Sequence, residues 1–495
     1  MPLLPLDIPA GVYKNGTDYQ STGRWNDSNL VRWIDSAVRP VGGWSQKSAT
    51  ATSSICRALY AWTDNDLTRY IAAATDLKLY VYDQEGAQYD ITPVGYISGR
   101  ETTVANTGYG ALNYGEDSYG TERQDSTQTL PATTWSLDNW GEYLVGCADT
   151  DGRLYEWQLD LTGPTPAAVI SNAPTDCRGL LVTEERFLMA LGASGNPRLL
   201  KWSDREDNTT WTAADTNEAG DIELQTDGLI QCGLRARDQA IILTTTDAHT
   251  ATYIGPPFVF SIQRVGTGCG VISPKAAVSF SSGTVWMGRQ NFFLYSGGQV
   301  QKLPSDVYDH VFSNINREYG SHVFAVNNSR FSEVWFFYPS ANSTENDSYV
   351  TWNYDTNAWS IGTLVRTAGI DQGAFTNPIW FDPDDKHLYE HEVGFSHGAY
   401  TPFIESGPVS IGAGDGVIVA TELIPDELNQ GDVEATFKTR FHPNDTEREY
   451  GPYDPTNPTP VRFTGRQMRM RLTATNNTDW RVGRMRLDIR SGGRR

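Results

Sequence analysis

Three short stretches carry residues whose types and spacing could do chemistry. GTGCG (266–270) has the glycine content of a phosphate-cradling loop, in which backbone N–H groups and the start of a following helix hold an anion. It runs instead into VISPKAAVSF, with Pro274 and strand character, so a turn is expected. HLYEH (387–391) puts His387, Tyr389 and His391 on one strand face, where two imidazoles could share a metal. No cysteine or third ligand of that face lies nearby, and a solvated strand is expected. SDREDNTTW (203–211) gathers Asp204, Glu206 and Asp207. Paired carboxylates are the equipment of glycoside hydrolysis, but the chain has 60 acids and no motif that selects two of them. A turn capping a hairpin is expected there. GxSxG, HExxH and a Cys–His pairing are absent. No catalytic, cofactor-binding or metal-binding residue is therefore expected, and the chain reads as no enzyme.

SDREDNTTW also resembles the Asp-box turn of sialidase propellers, S-x-D-x-G-x-T-W. It is one residue too long, lacks the glycine and occurs once. The five cysteines (Cys56, Cys147, Cys177, Cys232, Cys269) are odd in number, far apart and never in a CxxC pair. Buried reduced thiols are the expectation, not disulfides or zinc.

The elements that must position any site are strands. Helical periodicity is scarce, while period-2 alternation bounded by turn residues recurs. WSLDNWGEYLVGCADTDGRLYEWQLD (135–160) reads as strand, Asp151-Gly152 turn, strand. The same plan appears at 69–83, 186–204, 276–303, 331–360 and 377–392, and around 238–255. One residue marks the second strand of each hairpin: Tyr80, Tyr155, Leu200, Tyr253, Tyr295, Trp352 and Tyr389. The spacings are 75, 45, 53, 42, 57 and 37. A unit recurring every ~40–50 residues is the signature of propeller blades. The fold class expected is all-β: a β-propeller-like body of repeated antiparallel blades plus a β-sandwich-like platform. Residues 1–45 form an N-terminal arm packing on the platform, 46–400 the propeller and 401–495 the platform. The gap of 75 holds an insertion at about 95–132 containing TGYGALNYGEDSYGTE. Its Tyr109, Tyr114 and Tyr119 could anchor glycine bends against a neighbour, as part of a wall or gate.

Charge is unevenly placed. The net charge is −21, yet residues 460–495 hold ten arginines and two acids, leaving 29 basic against 58 acidic residues elsewhere. Met468, Met470 and Leu472 alternate with Arg469 and Arg471; Met485, Leu487 and Ile489 alternate with Arg484, Arg486 and Arg490. One face should pack and the other present guanidinium groups, which suit bidentate docking to an acidic partner. These five arginines, with Trp25 and Trp33 of the arm, are the partner-interface candidates. The N-terminus has no basic region ahead of its broken apolar run, and no stretch reaches the ~18–20 apolar residues of a bilayer span. A protein made in the cytoplasm, without a membrane-spanning segment, is the expectation.

Several stretches resemble tailed-phage virion proteins. They are GVYKNGTDYQSTGRWNDSNLVRW…RPVGGW (11–44), KWSDREDNTTWTAADTNEAGDIEL (201–224), GPPFVFSIQRVGTGCGVISPKAAV (255–278), FSEVWFFYPS (331–340) and RLDIRSGGRR (486–495). Within that group the chain is most similar to the tail nozzle, or tail tubular protein B type, of short-tailed phages. The resemblance implies a homohexameric ring in the virion, beneath the head-to-tail adaptor, assembled in the host cytoplasm. Such a ring continues the channel through which viral DNA passes without specific binding, gates it and holds tail fibres or spikes. It implies no cofactor and no catalytic residue. The alternatives are a receptor- or glycan-binding propeller, which many aromatics would suit, or a tail depolymerase.

Overall fold

The computed structural model describes residues 3–104, 129–161, 165–410, 416–429 and 431–493. Seven four-stranded antiparallel sheets follow one another along the chain. Blade 1 comprises Cys56–Thr63, Arg69–Thr75, Leu79–Tyr82 and Gln88–Asp90, from the axis outward. Blades 2 to 6 span 135–169, 179–223, 230–267, 277–303 and 324–363. Blade 7 has three strands in sequence (Ala368–Ile370, Ile379–Asp382, His387–His391), and its outermost strand is Trp44–Gln46 from the N-terminal arm. The first strands pack in order around a ring, and Ala368–Ile370 packs back on Cys56–Thr63. The ring is closed. The body is a seven-bladed β-propeller.

Tyr80, Tyr155, Leu200, Tyr253, Tyr295, Trp352 and Tyr389 fall one to a blade, each on the third strand. Alternation fades one strand further in, because a blade is covered on both faces by its neighbours. Leu188–Leu191 and Glu333–Tyr338 are buried at every residue. Aromatic rings fill the wedges between blades: Trp62, Tyr70, Trp135 and Trp157 form one cluster across blades 1 and 2. The Trp135 indole N–H donates to the Thr75 carbonyl of blade 1 at 2.9 Å, so the buried ring keeps its polar handle satisfied.

The platform is two sheets. One orders Leu3–Pro5, Arg486–Ser491, Ile418–Ile424 and Thr459–Gly465; the other orders Trp25–Asn29, Phe403–Ser406, Gln467–Ala474, Val433–Arg440 and Arg448–Tyr453. The chain passes from the first sheet to the second across Arg466. Phe437 stacks on Phe463 between them, with centroids 4.7 Å apart. Val12, Trp25 and Val31 of the arm, Phe292 and Trp359 of the propeller, and Met470 and Trp480 of the platform belong to one continuous apolar core. The arm therefore does more than lie on the platform: it supplies strands to both platform sheets and to blade 7.

GTGCG ends the last strand of blade 4 at Gly266 and Thr267 and turns there toward blade 5. Gly268 takes φ +65°, and no helix follows. Gly270 lies so close to Thr245 that an added Cβ would sit well inside van der Waals contact of its carbonyl oxygen. Gly270→Ala is expected to destabilise the protein by about 1–3 kcal/mol, because backbone rather than a movable side chain must yield. Urea unfolding measures this, and a midpoint equal to that of the parent would count against the packing account.

Candidate functional site

One concave site opens at an end of the propeller axis. At one end the loops entering the inner strands, and the turns between second and third strands, surround a mouth of about 700 Å³. Arg178, Gln231, Arg289, Arg317 and Ser321 line it, from the entries to blades 3, 4 and 6 and the 288–291 turn of blade 5. Arg289 and Arg317 are exposed, and neither has an ion pair or side-chain hydrogen bond among the described residues. Arg178 faces Asp149, whose carboxyl burial pushes up to about 6 against the pull of Arg100 and Arg178.

Deeper in, Lys275 precedes the inner strand of blade 5. Its ammonium feels Cys232 of blade 4, Cys56 of blade 1, and Asp138 and Asp149 of blade 2. Only a position on the axis lies within reach of blades 1, 2, 4 and 5 together. Burial lowers its pKa, and its Nζ has no hydrogen bond or ion pair among the described residues.

Further along the inner strands the tunnel is plugged. Arg235 of blade 4 pairs with Asp138 of blade 2 and donates to the Tyr60 hydroxyl of blade 1 at 3.2 Å. Tyr60 donates to Asp138 at 3.0 Å, and the Val182 amide of blade 3 donates to the other Asp138 oxygen at 2.9 Å. Blades 1 and 4 stand nearly opposite, so this cluster crosses the axis. Burial raises the Asp138 carboxyl despite Arg235. The result is a funnel with cations at its rim and this cluster across the axis.

The rim also carries an ion pair, Arg57 to Glu345 at 2.6 Å, with His322 against the same carboxylate at 3.4 Å. Burial opposes the Glu345 charge, yet Arg57 and His322 hold its carboxyl down at about 2. The insertion springs from this rim. Val104 and Leu130 exchange backbone hydrogen bonds at 2.9 and 3.0 Å, and Thr103 bonds to Ser321 and His322. Tyr109, Tyr114 and Tyr119 lie outside the described residues.

The platform arginines separate into two groups. Arg469 is not presented outward: it is buried, paired with Asp18 and with Glu447 at 2.9 Å, and Glu405 is 3.7 Å away. Arg471 lies 3.6 Å over the Phe403 ring and 3.3 Å from Glu405. The cover is the arm, whose turn Asp18–Ser21 is started by the Gln20 carboxamide accepting the Thr17 amide at 3.2 Å. Trp25 is likewise core, 5% exposed, and Trp33 is half-buried in the hairpin Val31–Ile34/Ala37–Pro40. Neither tryptophan stands out as an anchor for a partner. Arg484 is exposed and paired with Asp7 at 2.7 Å. Arg486 and Arg490 stay exposed, with no ion pair among the described residues.

The other singled-out residues resolve plainly. His391 is buried, its ring 4.0 Å from Trp380 and its Nε2 3.1 Å from Arg366 Nε, while His387 is only partly covered. Among the described residues no three His, Cys, Asp or Glu side chains are grouped to hold a metal. All five cysteines are buried and unpaired. Asp207 caps the Thr209 amide at 2.8 Å and Asp204 the Glu218 amide at 2.8 Å, in the loop joining the third and fourth strands of blade 3. Sequence reasoning missed the funnel because its cations come from four separate loops. The one local hint was Lys275, a few residues after the glycine-rich turn.

One acid on the platform titrates unusually. Burial, with Asp432 and Asp454 nearby, pushes the Glu427 carboxyl up to about 7. A carboxyl whose folded pKa is raised contributes stability that is complete below its unfolded pKa and is lost as pH rises through the folded one. The melting midpoint of the protein should therefore fall between about pH 4.5 and 7, and Glu427→Gln should flatten that slope. Equal slopes in parent and variant would refute the assignment.

No family model matches this chain, and no curated protein does. Solved propellers align with it at low identity. Virginiamycin B lyase from Staphylococcus aureus is 6% identical over 70% of this chain and 99% of its own, with a TM-score of 0.42. A streptogramin B lyase is 9% identical over 70% and 96%, at 0.40. The Pan2 WD40 domain of Neurospora crassa is 8% identical over 72% and 96%, also at 0.40. These are likenesses of chain path alone. They carry nothing about activity, and the ring of seven sheets defines the propeller by itself.

Proposed function

We propose that this chain is a structural ring subunit of a short-tailed phage tail, of the nozzle type, and not an enzyme. The observation that carries most weight beside the sequence resemblance is the arm. One N-terminal segment donates strands to both platform sheets and to blade 7, joining propeller and platform into one stiff piece. A stiff two-part subunit suits a tube wall. The platform leaves Arg486 and Arg490 outward while the rest of the chain is strongly acidic, a polarity that suits heterologous contacts around a ring or docking to an adaptor. The plug at Tyr60, Asp138 and Arg235 bars the propeller's own tunnel, so the DNA conduit of this reading runs between subunits, along acidic walls that a polyanion does not stick to.

Electron microscopy and sedimentation of the full-length protein test it. Closed rings, and the chain present in purified virions, are expected; a monomer at tens of micromolar that is absent from virions would sink it. The glycan-binding alternative rested on exposed aromatics. Of fifteen tryptophans, thirteen are buried and Trp33 and Trp44 are half-buried, while Tyr19, Phe258 and Tyr308 are the exposed large aromatics among the described residues.

A further inference from the structure

We propose that the axial funnel is a binding site for a compact polyanion, a small molecule carrying two or more phosphate or carboxylate groups. A cavity of about 700 Å³ is of the size that encloses a small ligand. Arg289 and Arg317 stand at its rim with no carboxylate partner among the described residues, in a chain of net charge −21 where acids outnumber bases by 60 to 39. On such a surface free arginines would find acidic partners readily; here they converge on a concavity instead. Guanidinium forks match the paired oxygens of phosphate and carboxylate.

Lys275 adds a cation deeper in: its ammonium is within electrostatic reach of Asp138 and Asp149 of blade 2 but makes no hydrogen bond or ion pair among the described residues, so it keeps donors for an anion. Arg57 and Arg235 are each paired with a carboxylate, Glu345 and Asp138, and Arg178 faces Asp149. The contrast separates cations that hold the ring together from cations left for a guest. Gln231 and Ser321 add neutral donors to the wall. The Tyr60, Asp138 and Arg235 cluster crosses the axis below, so a ligand enters by the arginine rim. Glu318 on the rim, and Asp138 and Asp149 within reach of Lys275, are the opposing acids. They favour a ligand with several negative charges over a single carboxylate.

The inference stands apart from ring assembly, and its test needs none. Calorimetric titration of the full-length protein with sodium tripolyphosphate, and separately with citrate, distinguishes phosphate from carboxylate chemistry. Saturable binding with Kd under about 1 mM, weakening as salt rises, is expected for at least one of them. Arg289→Gln combined with Arg317→Gln should weaken it at least about tenfold. These two side chains are exposed, so the variant folds. Lys275→Met should weaken it similarly, and Arg486→Gln with Arg490→Gln on the platform should leave it unchanged. No saturable binding of either anion, or binding untouched by the Arg289/Arg317 variant, overturns the proposal.

Discussion

A chain starting at residue 47 is expected not to fold. The truncation removes Trp44–Gln46, leaving His391, Glu390 and Tyr389 of blade 7 without their partner strand. An opened outer edge invites pairing with other chains. It also strips Val12, Trp25, Val31 and Val38 from the core shared by propeller and platform, and takes one strand from each platform sheet. Each large buried apolar side chain lost costs roughly 2–5 kcal/mol. Four of them match or exceed the ~5–15 kcal/mol by which domains are commonly stable. Insoluble product, or a soluble chain without a cooperative melt, is expected by circular dichroism. A truncated protein melting within a few degrees of full length would show the arm to be an accessory.

Arg32→Ala should be the most damaging single substitution. Arg32 leaves the arm's hairpin and enters the joint between blades 6 and 7. It donates to both oxygens of Glu333, each at 3.0 Å, and to both of Glu392, at 3.0 and 2.6 Å. All three side chains are at most 6% exposed, and the Phe331 ring lies 3.6 Å beneath the guanidinium. Burial pushes the Glu392 carboxyl up, but Arg32, the Asn328 amide and the Gly42 N–H bring it below the usual range. Removing one partner of such a cluster leaves uncompensated buried charge, costing about 3–5 kcal/mol. Replacing all three by apolar or neutral groups (Arg32→Met, Glu333→Gln, Glu392→Gln) should cost less than Arg32→Ala alone. The two carboxyls have opposite signs with pH: the depressed Glu392 contributes stability present above its unfolded pKa and lost as pH falls through the folded one, whereas burial raises the Glu333 carboxyl, whose contribution is lost as pH rises. Hydrogen exchange of Trp25–Asn29 and Val31–Ile34 reads release of the arm. Protection there unchanged by Arg32→Ala would refute the joint.

The blades were legible in the chain because their signals are local. Turn residues, alternating strands and one marker residue per hairpin (Tyr80 through Tyr389) depend on neighbours a few positions away. The alternation of Met468, Met470 and Leu472 with Arg469 and Arg471 likewise told which residues share a strand face. It did not tell what covers that face. Asp18, 451 residues away, closes over Arg469, and no local pattern encodes that contact. Ring closure was hidden for a related reason: Trp44–Gln46 joins blade 7 through backbone hydrogen bonds, which any sequence can make. The buried Arg32 cluster and the funnel need loops from distant blades to meet on one joint or one axis. Residue types and spacing by themselves determined an all-β propeller with an arginine-rich platform. Only the closed ring decided which arginines are neutralised and which are left to meet something else, because charge pairing depends on distance in space and not along the chain.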